Sequence, residues 1–127
     1  MSLFQTIVGF IAELFKQQGY KVEVGKILQG NCVSHEIDVI AVKENQLNLM
    51  ECKYRNQPGV AVDVKTPLYI KARFEDVLDN KLLGYHEKEF KGWVIVQYIF
   101  KSCLDIKWCF NINRNAGLIS VFAFHKV

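Results

Sequence analysis

Asp38, Glu51 and Lys53 are the residues of this chain whose types and spacing could do chemistry. They lie in residues 33–55, VSHEIDVIAVKENQLNLMECKYR, which read as a β-hairpin. Two arms rich in β-branched and aliphatic residues, 33–42 and 47–55, are joined by the polar turn Lys43-Glu44-Asn45-Gln46. If Lys43 faces Gln46, antiparallel stepping puts Val42 opposite Leu47, Ile40 opposite Leu49, Asp38 opposite Glu51 and Glu36 opposite Lys53. Opposed residues on one face have Cβ atoms roughly 4.5–5.5 Å apart, and like charges there destabilise a sheet unless something compensates them. A divalent cation is the natural compensator. The strand period of two puts Lys53 on the face of Glu51, one step nearer the open end, where Arg55 follows.

Both faces of this hairpin are otherwise apolar. Ile40, Val42, Leu47 and Leu49 share the face of the acids, and Val33, Ile37, Val39, Ala41, Met50 and Cys52 take the other. Such a hairpin belongs in the interior of a covered sheet, and ionisable groups in that position require a reason. One reason is a purely structural network, with Glu36 as the ion-pair partner of Lys53. The other is a reaction.

The series Glu36-Ile37-Asp38-Val39-Ile40 followed by Glu51-Cys52-Lys53 resembles the PD-(D/E)xK nuclease superfamily. In that superfamily an aspartate on one strand and an acid-x-lysine on the next form a magnesium-dependent phosphodiesterase site. The chain looks most like the Mrr-type restriction endonucleases and the small resolvase-type nucleases. The likeness runs from the first helix to about Phe74, through the stretch DVKTPLYIKARF, and little after Trp93 matches. No proline precedes Asp38, where the name of the motif would put one.

The resemblance implies hydrolysis of a DNA phosphodiester with Mg2+ or Mn2+ as cofactor. A hard cation takes oxygen ligands, which Asp38, Glu51 and the backbone carbonyl of Cys52 could supply, with water and a phosphate oxygen completing the octahedron. Lys53 would orient or deprotonate the attacking water and offset developing charge. In several related nucleases an acid on the first helix joins the site, and Glu13 is the position that resembles it. Arg55, Lys65, Lys71 and Arg73 follow the acids closely and would neutralise phosphates flanking the cut. A catalytically inactive nucleic-acid-binding or regulatory module of the same fold is the alternative, and either a single copy or a homodimer fits.

Composition sets outer limits on these readings. With 127 residues, 50% hydrophobic and 23% charged, the chain is one globular domain with enough apolar material for a core, a composition that argues against disorder. A net charge of +3 permits a polyanionic partner without requiring one. Cys32, Cys52, Cys103 and Cys109 have no metal-binding spacing, and His35, His86 and His125 are scattered. Free thiols in apolar runs suit a reducing cytoplasm. Residues 1–12 are apolar but lack the basic start and cleavage site of a signal peptide. No run approaches membrane-spanning length.

The elements that must position the site follow from periodicity. Leu3, Ile7, Phe10, Ile11, Leu14 and Phe15 recur at helical spacing, and this helix ends before Gly19. Residues 20–27 alternate as a first strand, and Gln29-Gly30-Asn31 turns into the hairpin. After Asn56-Gln57-Pro58-Gly59, a loop runs to Pro67, and Leu68, Ala72, Phe74 or Glu75, Leu78 and Leu82 predict a helix over 68–83 stopped by Gly84. Residues 92–100, GWVIVQYIF, read as a strand buried on both sides, parallel to 47–55 because a helical crossover joins the two. Residues 103–113 fit helix or strand, and 118–124 read as a last strand. The expected fold is α/β, a restriction endonuclease-like αβββαβ core with a mixed central sheet flanked by helices.

Overall fold

A computed structural model describes residues 3–55, 65–98, 109–113 and 117–125. The order is α1 (Leu3–Gln17), β1 (Lys21–Gln29), β2 (Ser34–Lys43), β3 (Gln46–Arg55), α2 (Lys65–Asp79), two short 3-10 turns, β4 (Glu89–Tyr98), β5 (Cys109–Asn113) and β6 (Gly117–His125). The six strands form one mixed sheet in the order β1-β2-β3-β4-β6-β5. Only β3 and β4 run parallel, as the helical crossover between them requires. The fold is α/β, with β2 and β3 interior. Among the described residues, no helix is long and apolar enough to cross a membrane.

Each helix covers one face. In α1, Ile7, Val8, Ile11 and Ala12 form the buried stripe, packed on Val39, Ala41, Met50 and Cys52. Gly19, at φ 89°, turns the chain out of the helix into β1. In α2, Ile70, Phe74, Val77 and Leu78 pack on Ile40, Leu47, Leu49 and Val94. Phe74 also meets Phe90 edge-on, with centroids 6.1 Å apart.

The sequence reading misplaces this second helix in phase and in extent. Leu68 and Leu82, expected inward, are 58% and 96% exposed; of the expected pattern Phe74 and Leu78 are buried, and Ile70 and Val77 complete the stripe. The helix starts at Lys65, so Pro67 lies in its first turn, where an N–H would have no intrahelical acceptor. It stops at Asp79. The Asn80 side chain then accepts from Leu82 N–H to start a 3-10 turn, which Gly84 closes at φ 73°. Strand β4 begins at Glu89, three residues before the expected start. Most of the loop expected over 56–67, and most of 103–113, lie outside the described residues, although 109–113 form strand β5.

One irregularity matters for function. Ile37 and Ile40 both lie in the α2 layer, whereas strict alternation, and the expectation for Ile37, puts them on opposite faces. Strand β1 reverses too, with Val22 on the α1 side and Leu28 on the α2 side. Register is kept throughout, from Val24↔Val39 to Lys26↔Ile37. The reversal therefore falls where Gly25, at φ 64°, faces Asp38. Only glycine takes that backbone without strain.

Candidate active site

The hairpin closes on a tight turn at Glu44-Asn45, with Glu44 at φ 53°, and its register is the one the sequence predicts: Lys43↔Gln46, Val42↔Leu47, Ile40↔Leu49. Described pairing stops at Val39↔Met50. One step further the Asp38 side chain takes over from the backbone, its Oδ2 accepting the Cys52 N–H at 2.8 Å. The expected pairs Asp38–Glu51 and Glu36–Lys53 are thus not ladder pairs. Asp38, at the face reversal, leans across the gap between β2 and β3 and meets Glu51 through its carboxyl group.

Glu51 is buried on the α2 side, in step with Leu47 and Leu49. Its Oε1 lies 3.2 Å from Lys53 Nζ and 3.6 Å from a guanidinium nitrogen of Arg73. Its Oε2 is buried with no hydrogen-bond partner. A buried carboxylate oxygen without a donor is costly, and nearly all such groups in folded proteins are paired. Burial, with the neighbouring Glu51 charge adding to it, pushes the Asp38 carboxyl up to about 6, against the lowering effect of the Cys52 N–H and Lys53. Two carboxyl groups thus abut in a half-dry niche and resist being charged together. A cation bound between them would relieve both the repulsion and the orphaned oxygen, so the residues present fit a divalent ion. Among the described residues, no group of three or more His, Cys, Asp or Glu could hold a metal. Among the described residues, the backbone carbonyl of Cys52 is the candidate for a third ligand.

The remaining predicted residues divide. Cys52 turns its side chain to the α1 side, where burial, with Asp38 and Glu51 adding to it, pushes the thiol up to about 12, so only its carbonyl is a candidate ligand. Glu13 does not join the acids: it is exposed on α1, roughly opposite the buried Ile7, Val8, Ile11 and Ala12 stripe. The helix cannot bury that stripe and also turn Glu13 toward the sheet. Glu36 is exposed and lies near Gly25 of β1, so it is not the partner of Lys53. Arg55 ends β3 in register with Tyr98, but its side chain lies outside the described residues. Lys65 is exposed at the start of α2, and Lys71 is exposed and 3.6 Å from Glu75 on the same helix.

Arg73, expected only as a phosphate contact, has a second role. Besides touching Glu51 it donates to the Glu36 carbonyl at 2.9 Å, tying α2 to both strands of the site. One turn on, Asp76 accepts from the N–H groups of Cys32 (2.8 Å) and Val33 (3.2 Å) and pairs with His35 at 2.7 Å. His35 above all, with those N–H groups, holds the Asp76 carboxyl down at about 2. Sequence reasoning missed this clamp, whose partners lie about forty residues apart. A cleft of about 310 Å3, lined by Tyr20, Gln46, Asn48, Glu89 and Lys91 among others, lies at the turn end of β3, away from the acids.

No family model matches the chain. A protein of Archaeoglobus fulgidus, described as uncharacterized, is 40% identical over 67 residues, covering 53% of this chain and 38% of its own length. The crystal structure of a protein of unknown function, AF1548, superposes with a TM-score of 0.60 at 32% identity, covering 76% of this chain and 47% of that one. The chain therefore spans less than half the length of each of these two relatives.

Proposed function

We propose that the chain is a metal-dependent endonuclease domain of restriction endonuclease-like fold that hydrolyses DNA phosphodiester bonds. The observation that carries this reading is the convergence of Asp38, Glu51 and Lys53 around the orphaned Glu51 Oε2, at the point where β2 and β3 part. A self-contained ion network would satisfy its own atoms, and this one leaves a buried oxygen unpaired and holds two carboxyls together.

Asp38, Glu51 and the Cys52 carbonyl would hold Mg2+ or Mn2+. The bound ion would acidify a water and stabilise charge on the phosphate. Lys53 Nζ, 38% exposed and 3.2 Å from Glu51, would hydrogen-bond the attacking water and offset negative charge as the ester P–O bond breaks. Arg73, hydrogen-bonded to the Glu36 carbonyl and close to Glu51 Oε1, would keep Glu51 in position. Lys53, Arg73 and Lys65 present positive charge to the backbone on the α2 side.

Incubation of the protein with supercoiled, branched and single-stranded DNA, with Mg2+, Mn2+ or EDTA, tests the proposal. Metal-dependent nicking that disappears in Asp38→Asn is the expected result. Wild-type protein that binds DNA but cuts none of these forms with either metal would transfer the site to the binding-module reading.

A further inference from the structure

Helix α2 carries a stripe that leads to the hydrolytic site and includes one side chain, Tyr69, to which that site gives no role. Lys65, Tyr69 and Arg73 stand at i, i+4 and i+8, one above another on the same flank, with about 6 Å between successive Cα atoms. The stripe ends at the site, since Arg73 is the residue that reaches Glu51. Lys65 is exposed, and Asp76, further along the same flank, is already paired with His35. Tyr69 is 67% exposed and is the only exposed aromatic side chain among the described residues, next to a Leu68 that is 58% exposed. An aromatic ring left in water gives up the burial that most such rings obtain, and nothing in the packing of α2 requires it, because Ile70, Phe74, Val77 and Leu78 already form the buried face.

A cation, a ring and a second cation in line, leading to paired carboxyls, make up the composition of a track for a strand with unpaired bases. Cations follow the phosphates, and a ring stacks a base whatever its identity. In an intact duplex the bases are already stacked on one another, so the ring has nothing to gain there. We infer that Tyr69 is a base-stacking platform, and that the nucleic acid taken by this site carries unpaired nucleotides beside the bond to be cut. The inference rests on the nuclease reading for the position of the cut and goes beyond it in naming the substrate class.

Short oligonucleotides carrying 2-aminopurine, whose fluorescence is quenched by stacking, test this in EDTA, so that binding is read without cleavage. Wild-type protein is expected to quench the probe in single-stranded and flapped oligonucleotides and to bind them roughly tenfold or more tightly than blunt duplex of equal length. Tyr69→Ala should lose both the quench and the preference, while Tyr69→Phe keeps both and duplex affinity stays the same in all three. A preference and quench unaltered in Tyr69→Ala would overturn the inference, whether or not the protein cuts DNA. Self-association in the micromolar range that Tyr69→Ala abolishes, with no quench in wild type, would assign the surface to a second copy and overturn it equally. Tyr69-dependent quenching in a protein that cleaves nothing would overturn the nuclease reading alone and leave the stacking platform standing.

Discussion

Asp38 and Lys53 differ in what their removal should do, because one lies in the niche and the other on its rim. Lys53 is 38% exposed, and Arg73 still touches Glu51 Oε1 when the ammonium is gone. Lys53→Ala should therefore abolish metal-dependent cleavage, leave DNA binding nearly intact and cost the fold no more than about 1 kcal/mol. A thermal melt and a cleavage time course on the same preparation check this. A large drop in melting temperature would mark Lys53 as a structural anchor. Asp38→Asn keeps an oxygen to accept the Cys52 N–H. It should fold, and calorimetric titration with Mn2+ should show binding lost. The carboxyl held at about 6, above its usual 3.8, means that the metal-free folded state takes up this proton more readily than the unfolded chain. The stabilisation so gained is full below about pH 4 and lost as pH rises through about 6. Urea melts in EDTA across this range should show that decline in wild type and not in Asp38→Asn.

At the scale of elements, the approach to the site is built by α2 gripping the β1–β2 loop. Gly30 donates its N–H to the Val33 carbonyl at 2.8 Å, and Asn31 donates to the Asp76 carbonyl at 2.9 Å. A methyl group at Gly30 would collide with the Asp76 carboxylate and the Val33 carbonyl, one of which is backbone and cannot swing aside. Gly30→Ala should cost about 1–3 kcal/mol in denaturant unfolding. The same clamp shapes acid stability. Asp76 is held at about 2, below its ordinary 3.8, so the folded state binds this proton less readily than the unfolded chain. The stability it contributes is present above about pH 4 and is lost as pH falls through about 2. Melts at successive acid pH values should show Asp76→Asn less stable than wild type near neutrality, with the gap narrowing toward pH 2.

The whole molecule is a sheet with a helix on each face, and the acids open toward the α2 side, the side that also carries Lys65, Tyr69 and Arg73. The other face, under α1, is closed by apolar contacts around Met50 and Cys52. On the proposed reading, a nucleic acid approaching from the α2 side would meet Lys65 and Arg73 on a molecule whose formal net charge is only +3. Binding should therefore be carried by local phosphate contacts rather than by the overall field. The logarithm of affinity should fall with the logarithm of salt at roughly 0.7–0.9 per phosphate neutralised, with little discrimination between sequences of equal strandedness. Fluorescence anisotropy from low to moderate salt measures the slope. An interaction indifferent to salt would remove the phosphate-contact account.

Hydrophobic periodicity and turn chemistry are local properties, and they determined α1, the hairpin register around Ile40 and Leu49, and the parallel crossover to β4. Asp38, Glu51 and Lys53 were legible because a strand of period two aligns residues by counting alone. The counting failed where a long-range choice intervened. In α2, a Leu68–Leu82 stripe and an Ile70–Phe74–Val77–Leu78 stripe are both helical in spacing, and only contact with Leu49 and Val94 decides between them. At Asp38 the face reversal opposite Gly25 replaces a ladder pair with a side-chain bond to Cys52, and no rule of alternation predicts a break in alternation. Glu13 was tied to the acids by analogy, although the apolar stripe through Ile7 and Ile11 already puts it on the outer flank of α1. Arg73 on Glu51 and Asp76 on the Cys32–Val33 amides join residues more than twenty and more than forty positions apart. Such pairs exist only once the layers have packed, because the docking of α2 on the sheet, and no property of either segment alone, brings their atoms within reach.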